Sequence, residues 1–302
     1  SQQNFYLFCF ATFLLGIGIG FGTLYRFAAI EVCDENARHR AISISMAGGV
    51  LAAVLGPNLA IMSQQWSADG LYIGAFASLI GLNILALALL QTIQFPKVSF
   101  NSQAPKADPL SVIVKAPNFI GAVFAAMVAY AVMNILMTAT PLAMIGCGFD
   151  FTKAAGVIEW HVLGMFVPAF FTGSLIEKFG SRMMILVGGV LFVVSIAINI
   201  HGVSIWHFRA ALVVLGVGWN FMFIAATGLF SQSYESQNKA KAQAFNEFAV
   251  FGCVTVTALL SGWLESTAGW QNLNIYVLPF VLAVIMMFAF SARKSHIHKQ
   301  SV

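Results

Sequence analysis

The chain has 302 residues, 59% of them hydrophobic and 9% charged, with a net charge of +4 and a mean hydropathy of +0.85. A water-soluble domain is about half apolar and about one quarter charged, so this composition excludes one, and the solvent must be lipid. No basic run suits nucleic acid. Cys9, Cys33, Cys147 and Cys253 lie far apart in or beside apolar runs, which argues against a disulfide or zinc framework, and neither a metal nor a cofactor is expected.

Apolar runs of the roughly 20 residues that cross a bilayer fall at about 5–31, 41–63, 70–92, 119–145, 154–176, 182–200, 207–231, 242–264 and 272–291. In the first, Gly16, Gly18, Gly20 and Gly22 form two overlapping GxxxG pairs; their mid-span position rules out a dinucleotide fingerprint. Arg26 lies roughly 8 Å inside the end of the same run at the helical rise. Glu31 is about 140° further round the helix and is a poor local partner for it. Solute contact and pairing with another helix are both open for Arg26. In the second run Pro57 removes one helical hydrogen bond, and Gly48, Gly49, Ala52 and Gly56 offer a small face to a neighbouring helix. The stretch 93–118 is polar, carries Pro96, Pro105, Pro109 and Pro117, and reads as a linker between two bundles.

Beyond the linker, each intramembrane polar group is a site candidate because its burial is costly. Asn134 sits mid-span, followed by Thr138, Thr140 and Pro141. Glu159 and His161 lie early in 154–176 and point about 200° apart, so they are not a helical pair. His161 has the titration range of a proton carrier, against the plainer reading of a structural histidine. Trp219 and Asn220 sit near the middle of 207–231, where an indole and an amide can bind a solute or link helices. Glu247 enters the next span and is expected to pair with a nearby cation.

The loops fix an expected orientation. Arg38, Arg40, Lys97, Lys106, Lys115, Lys178, Arg182, Lys239, Lys241, Arg293, Lys294 and Lys299 fall on one side, against Lys153 alone on the other. The positive-inside rule makes the first side, with the C-terminus, cytoplasmic. Leu15-Gly16-Ile17-Gly18 recurs as Leu215-Gly216-Val217-Gly218, each copy in a span followed by two more, and internal repeats are the usual build of secondary transporters. Six spans follow the linker but only three precede it. Three further helices are therefore expected ahead of residue 1, and a chain lacking them is not expected to transport alone.

The stretch GSLIEKFGSR, with Gly173, Glu177, Lys178, Gly180 and Arg182, resembles the loop signature of the major facilitator superfamily. Gly48, Gly49, Gly56 and Pro57 resemble its second signature, although Thr12 stands where that family often has an arginine. The resemblance implies an all-α polytopic membrane protein of two bundles with nine of twelve helices present. It divides the chain into helices four to six at 1–92, a cytoplasmic linker at 93–118, a six-helix bundle at 119–292 and a tail at 293–302. It also implies a bacterial inner-membrane permease, expected to be a monomer, that moves a small organic solute by alternating access with protons as candidate coupling ions. The helices bearing Arg26, Asn134, Trp219 and Asn220 would line its cavity, Glu159 and His161 would serve coupling, and the signature loop would act as a gating clasp. Metabolite, vitamin and drug permeases all fit. An intramembrane enzyme would need paired carboxylates, a HExxH or a Ser/His set, and none is present; a channel or sensor is the other alternative.

Overall fold

A computed structural model describes residues 4–31, 33–34, 37–63, 66, 73–92 and 106–300, with backbone alone for Arg26, Glu31, Pro57 and 291–300 among others. Every regular element among them is helical. The first expected span is α1 (Phe5–Thr23) and α2 (Tyr25–Glu31), separated at Leu24. The second is α3 (Arg38–Ala47) and α4 (Gly49–Ser63), and the third α5 (Ile73–Gln91). The continuous apolar runs need helices because lipid offers backbone groups no partner outside their own segment.

Of the expected linker, 93–105 lies outside the described residues. Residues 106–109 have no regular structure and lead to the single-turn α6 (Leu110–Ile113). This end is strapped to the turn before the last helix. Asp108 N donates to Asn238 Oδ1 and Asn238 Nδ2 donates to Asp108 Oδ2, both at 2.8 Å. Lys241 Nζ donates to the carbonyls of Ala107 and Asp108.

The second half is α7 (Phe119–Gly146), α8 (Phe151–Phe166), α9 (Ala169–Phe179), α10 (Ser181–His201), α11 (Ile205–Ser231) and α12 (Lys239–Gln300). Asp150 caps α8 by accepting from Lys153 N at 2.9 Å. That bond, more than the Lys153 side chain, holds its carboxyl below the usual range. Pro168 cannot continue the helical ladder, and α8 and α9 meet there at 40°. Helix α11 is the core of this half, packed on α7, α8 and α10. A Cβ at Gly188 would lie 2.7 Å from Gly218 O, so the second copy of the glycine repeat serves close packing with α10. Around Gly16 and Gly18, the first copy, no described atom lies within 4 Å of an added Cβ.

The 62 residues of α12 would run about 93 Å as one rod, far beyond a hydrocarbon core of about 30 Å. Gly269 at φ 79° and ψ 165° interrupts it. The Phe245 ring lies 5.8 Å from that of Phe119, while a Cβ on Gly121 would meet Phe288 at 3.8 Å. Both arms therefore reach the start of α7, and the chain doubles back at Gly269. By length and apolarity, seven of the described helices are fit to cross a membrane, or eight with the bent α8–α9 pair counted as one span.

Candidate functional site: a glycine clasp and an aromatic cleft

The signature loop meets the first half of the chain. Gly173 on α9 is buried, and a Cβ there would lie 2.9 Å from both His39 O and Ser43 Oγ on α3. Only glycine allows this approach. One turn later Glu177 Oε1 pairs with Arg40 Nε at 3.2 Å. Gly180, at φ 83°, ends α9 and opens α10 in a conformation that side chains resist. Lys178 Nζ stands 5.2 Å from the centre of the Phe179 ring. Arg182 Nη2 donates to Asn118 Oδ1 at 2.9 Å, so its partner is an amide at the start of α7, within its own half, and not an acid across the gate. Of the second signature, Gly49 receives the ring of Phe166 where a Cβ would stand. Gly56 has no described atom within 4 Å of an added Cβ, and the side chain of Pro57 lies outside the described residues.

An aromatic cluster fills the middle of the second half. Trp219 stacks on Phe223, with centroids 5.0 Å apart and planes 15° apart. Tyr130 stands edge-on to both, at 5.4 and 5.1 Å. Phe166 closes one side of Trp219 at 6.0 Å, and Phe251 packs on Tyr130 at 5.4 Å. Trp219 is buried, and its Nε1 has no partner among the described residues. Phe251 also lines a cleft of about 500 Å³ between α1 and α12, with Gly16, Ile19, Gly20, Leu24, Gln243 and Glu247.

The two amides expected to share a solute-facing wall turn to different neighbours. Asn134 is half-buried, and its Nδ2 lies 3.3 Å from Val254 O and 3.2 Å from Thr257 Oγ1 on α12. Asn220 is fully buried. Its Nδ2 donates to Met165 O and its Oδ1 accepts from Thr172 Oγ1, both at 2.6 Å. These contacts bracket Pro168, so Asn220 fastens the α8–α9 bend and takes the helix–helix alternative in this conformation. Replacement by Ala leaves the Met165 carbonyl buried without its partner, which costs about 1–3 kcal/mol. Asn220→Ala is expected to lower the melting temperature in detergent while changing solute affinity less than twofold; lost affinity at an unchanged melting point would contradict the clamp.

Comparison with known proteins places this architecture. The family description Major Facilitator Superfamily matches residues 155–301. The riboflavin transporter RfnT of Brucella anthropi is 39% identical over 285 residues, spanning 94% of this chain and 72% of that protein. This chain belongs to the major facilitator superfamily. The uncharacterized MFS-type transporter YddS of Bacillus subtilis is 26% identical over 297 residues, covering 92% of this chain and 68% of its own. The crystal structure of a bacterial homologue of the iron transporter ferroportin in an outward-facing state superposes with a TM-score of 0.62 at 13% identity, over 88% of this chain and 67% of that one. The protein is thus a multi-pass membrane protein of a transporter family and not an enzyme.

Within this transporter the remaining candidates are dispersed. Arg26 falls on α2, but its side chain lies outside the described residues. Glu159 is half-buried on α8. His161 is fully buried, with Nδ1 2.7 Å from Leu212 O on α11; a carbonyl only accepts, so Nδ1 carries the proton. Sequence reasoning passed over Tyr130, Phe166, Phe223 and Phe251 of the cluster, and His39 and Ser43 of the clasp. Trp219 and Phe223 are four apart on one helix face, the spacing that signals a stacked pair.

Proposed function

We propose that the protein is a secondary carrier that moves a flat aromatic heterocycle of the riboflavin class by alternating access. The observation that carries this reading is Phe251, one ring shared by the aromatic cluster and the cleft. A planar solute in the cleft would stack there, beside the side chains of Gln243 and Glu247 that also line it. The cleft volume falls within the roughly 300–1,000 Å³ of small-molecule sites, and the 39% identity to a protein named a riboflavin transporter favours this class over metals or sugars. We propose the inner membrane as its location, with the C-terminus and the signature loop cytoplasmic, the halves 1–92 and 119–292 joined by 93–118, a monomer as the working unit and protons as the driving ion. Glu159 is kept as the candidate coupling acid of the opposite side.

The test is uptake of labelled riboflavin by riboflavin-requiring cells that express the full-length protein. Saturable uptake that unlabelled riboflavin competes, with exchange of preloaded label, is expected. Flux that rises linearly with concentration would make it a channel, and flux equal to cells without the protein would remove the substrate assignment.

A further inference from the structure

We infer that His39 is the proton-sensing residue of the gate that the signature loop closes. The inference rests on the carrier reading above. A coupling group must interact differently with its surroundings in the two states of the carrier, since a group with equal energy in both shifts nothing. His161 does not meet this condition, because it lies between α8 and α11 of one half and moves with both. His39 does. It stands on α3 of the first half, and its ring fills the place where a Cβ of Gly228, on α11 of the second half, would be. Beside it, Gly173 and Glu177 of α9 meet Ser43 and Arg40 of the same α3. When the halves part at this end, the imidazole leaves its slot for water.

The closed slot opposes a charged ring at both nitrogens. The Gln232 side-chain nitrogen lies 3.3 Å from His39 Nε2, and an amide NH2 only donates, so Nε2 is the acceptor and Nδ1 bears the hydrogen. Nδ1 is buried and has no acceptor among the described residues. A second proton would set Nε2–H against the Gln232 NH2, one donor facing another. Turning the amide would mend that contact but leave Nδ1 as it is. The charged neighbours among the described side chains do not reverse this balance. Among the described side chains, α9 contributes Glu177, already paired with Arg40; α3 itself adds the cations Arg38 and Arg40; just past the end of α11 stands the neutral Gln232. A buried charge without a hydrogen-bonded partner is strongly disfavoured, so protons bind the open gate and low pH at this face favours opening. Ser43 Oγ in the same seam also has no hydrogen-bond partner among the described residues.

The test reads the gate directly, apart from transport. Spin labels at Asp34 and Phe179, both exposed near the ends of α3 and α9, are placed in the full chain with its four native cysteines changed to serine, and distances are measured in liposomes from pH 8 to pH 5.5. Wild type is expected to gain a longer distance as pH falls, with the open-to-closed ratio rising at least tenfold, while His39→Gln holds one ratio throughout. Gly228→Ala, whose methyl occupies the ring's place, is expected to open the gate already at pH 8, and the double change Gly228→Ala with His39→Ala to close it again. A pH response that survives His39→Gln overturns the inference, as does a closed Gly228→Ala at pH 8. Riboflavin flux is recorded separately in the same vesicles: a pH-dependent distance without flux removes the substrate assignment and leaves the proton gate standing.

Discussion

Gly173→Leu is expected to reduce transport turnover by about fivefold or more while leaving solute affinity within about twofold. The first added carbon would sit 2.9 Å from a backbone carbonyl and a buried hydroxyl on α3, and the carbonyl cannot yield unless the whole helix shifts. Overpacking of this kind costs about 1–3 kcal/mol. Charged to the closed state alone, it moves the ratio of states by about 5–150-fold. A carrier that cannot close one end stalls in the step that resets it, and such conformational steps often limit turnover. Glu177→Gln should act in the same direction but weakly, because an exposed ion pair contributes about 0.2–1 kcal/mol and Arg40 is 61% exposed. Arg182→Ala should do less still, its Asn118 partner being in the same half. Measured as net uptake against exchange in vesicles, wild-type turnover in Gly173→Leu would reduce the loop to a topology signal.

The gradation among these variants shows what the sequence can and cannot convey. Apolar continuity is a requirement imposed by lipid, so the approximate positions of the apolar helices could be read from the chain, and Gly173 could be tied to close packing. The partners could not. Arg182 carries a charge, and its sequence context promises a charge pair, yet what stands nearest is Asn118 at the start of α7. Asn220 announces a polar group at mid-membrane. Its fate is decided by Pro168, on another helix, which bends α8 from α9 and leaves the Met165 carbonyl for an amide to bind. His39 sits in CDENARHR, a segment whose charges already explain themselves as orientation signals. Its role emerges only where α11 brings Gly228 against it. The aromatic cluster was hidden by abundance: with 28 phenylalanines in the chain, Phe251 is indistinguishable from a lipid-facing side chain until Tyr130 is seen beside it.

Phe251→Ala is expected to weaken riboflavin binding about tenfold with maximal flux unchanged. Stacking of a base on an aromatic side chain is worth about 1–3 kcal/mol by alanine substitution, and an isoalloxazine ring offers a comparable π-face. Losing a contact that holds the solute equally in the loaded states and through their interconversion raises KM without lowering the limiting rate, whereas a gate defect does the reverse. Phe251 suits this measurement better than Trp219. The indole is buried in the core of the second half, where truncation to Ala costs about 3–5 kcal/mol of stability and confounds binding with unfolding. Phe251 is half-buried at the edge of the cluster, so Phe251→Ala should remain folded, with a melting temperature close to that of wild type, and Phe251→Trp should restore or tighten binding through its larger face. Unchanged KM in a well-folded Phe251→Ala would separate the cleft from the solute path. A fall in maximal flux at constant KM would move Phe251 from the binding surface to the moving parts of the carrier.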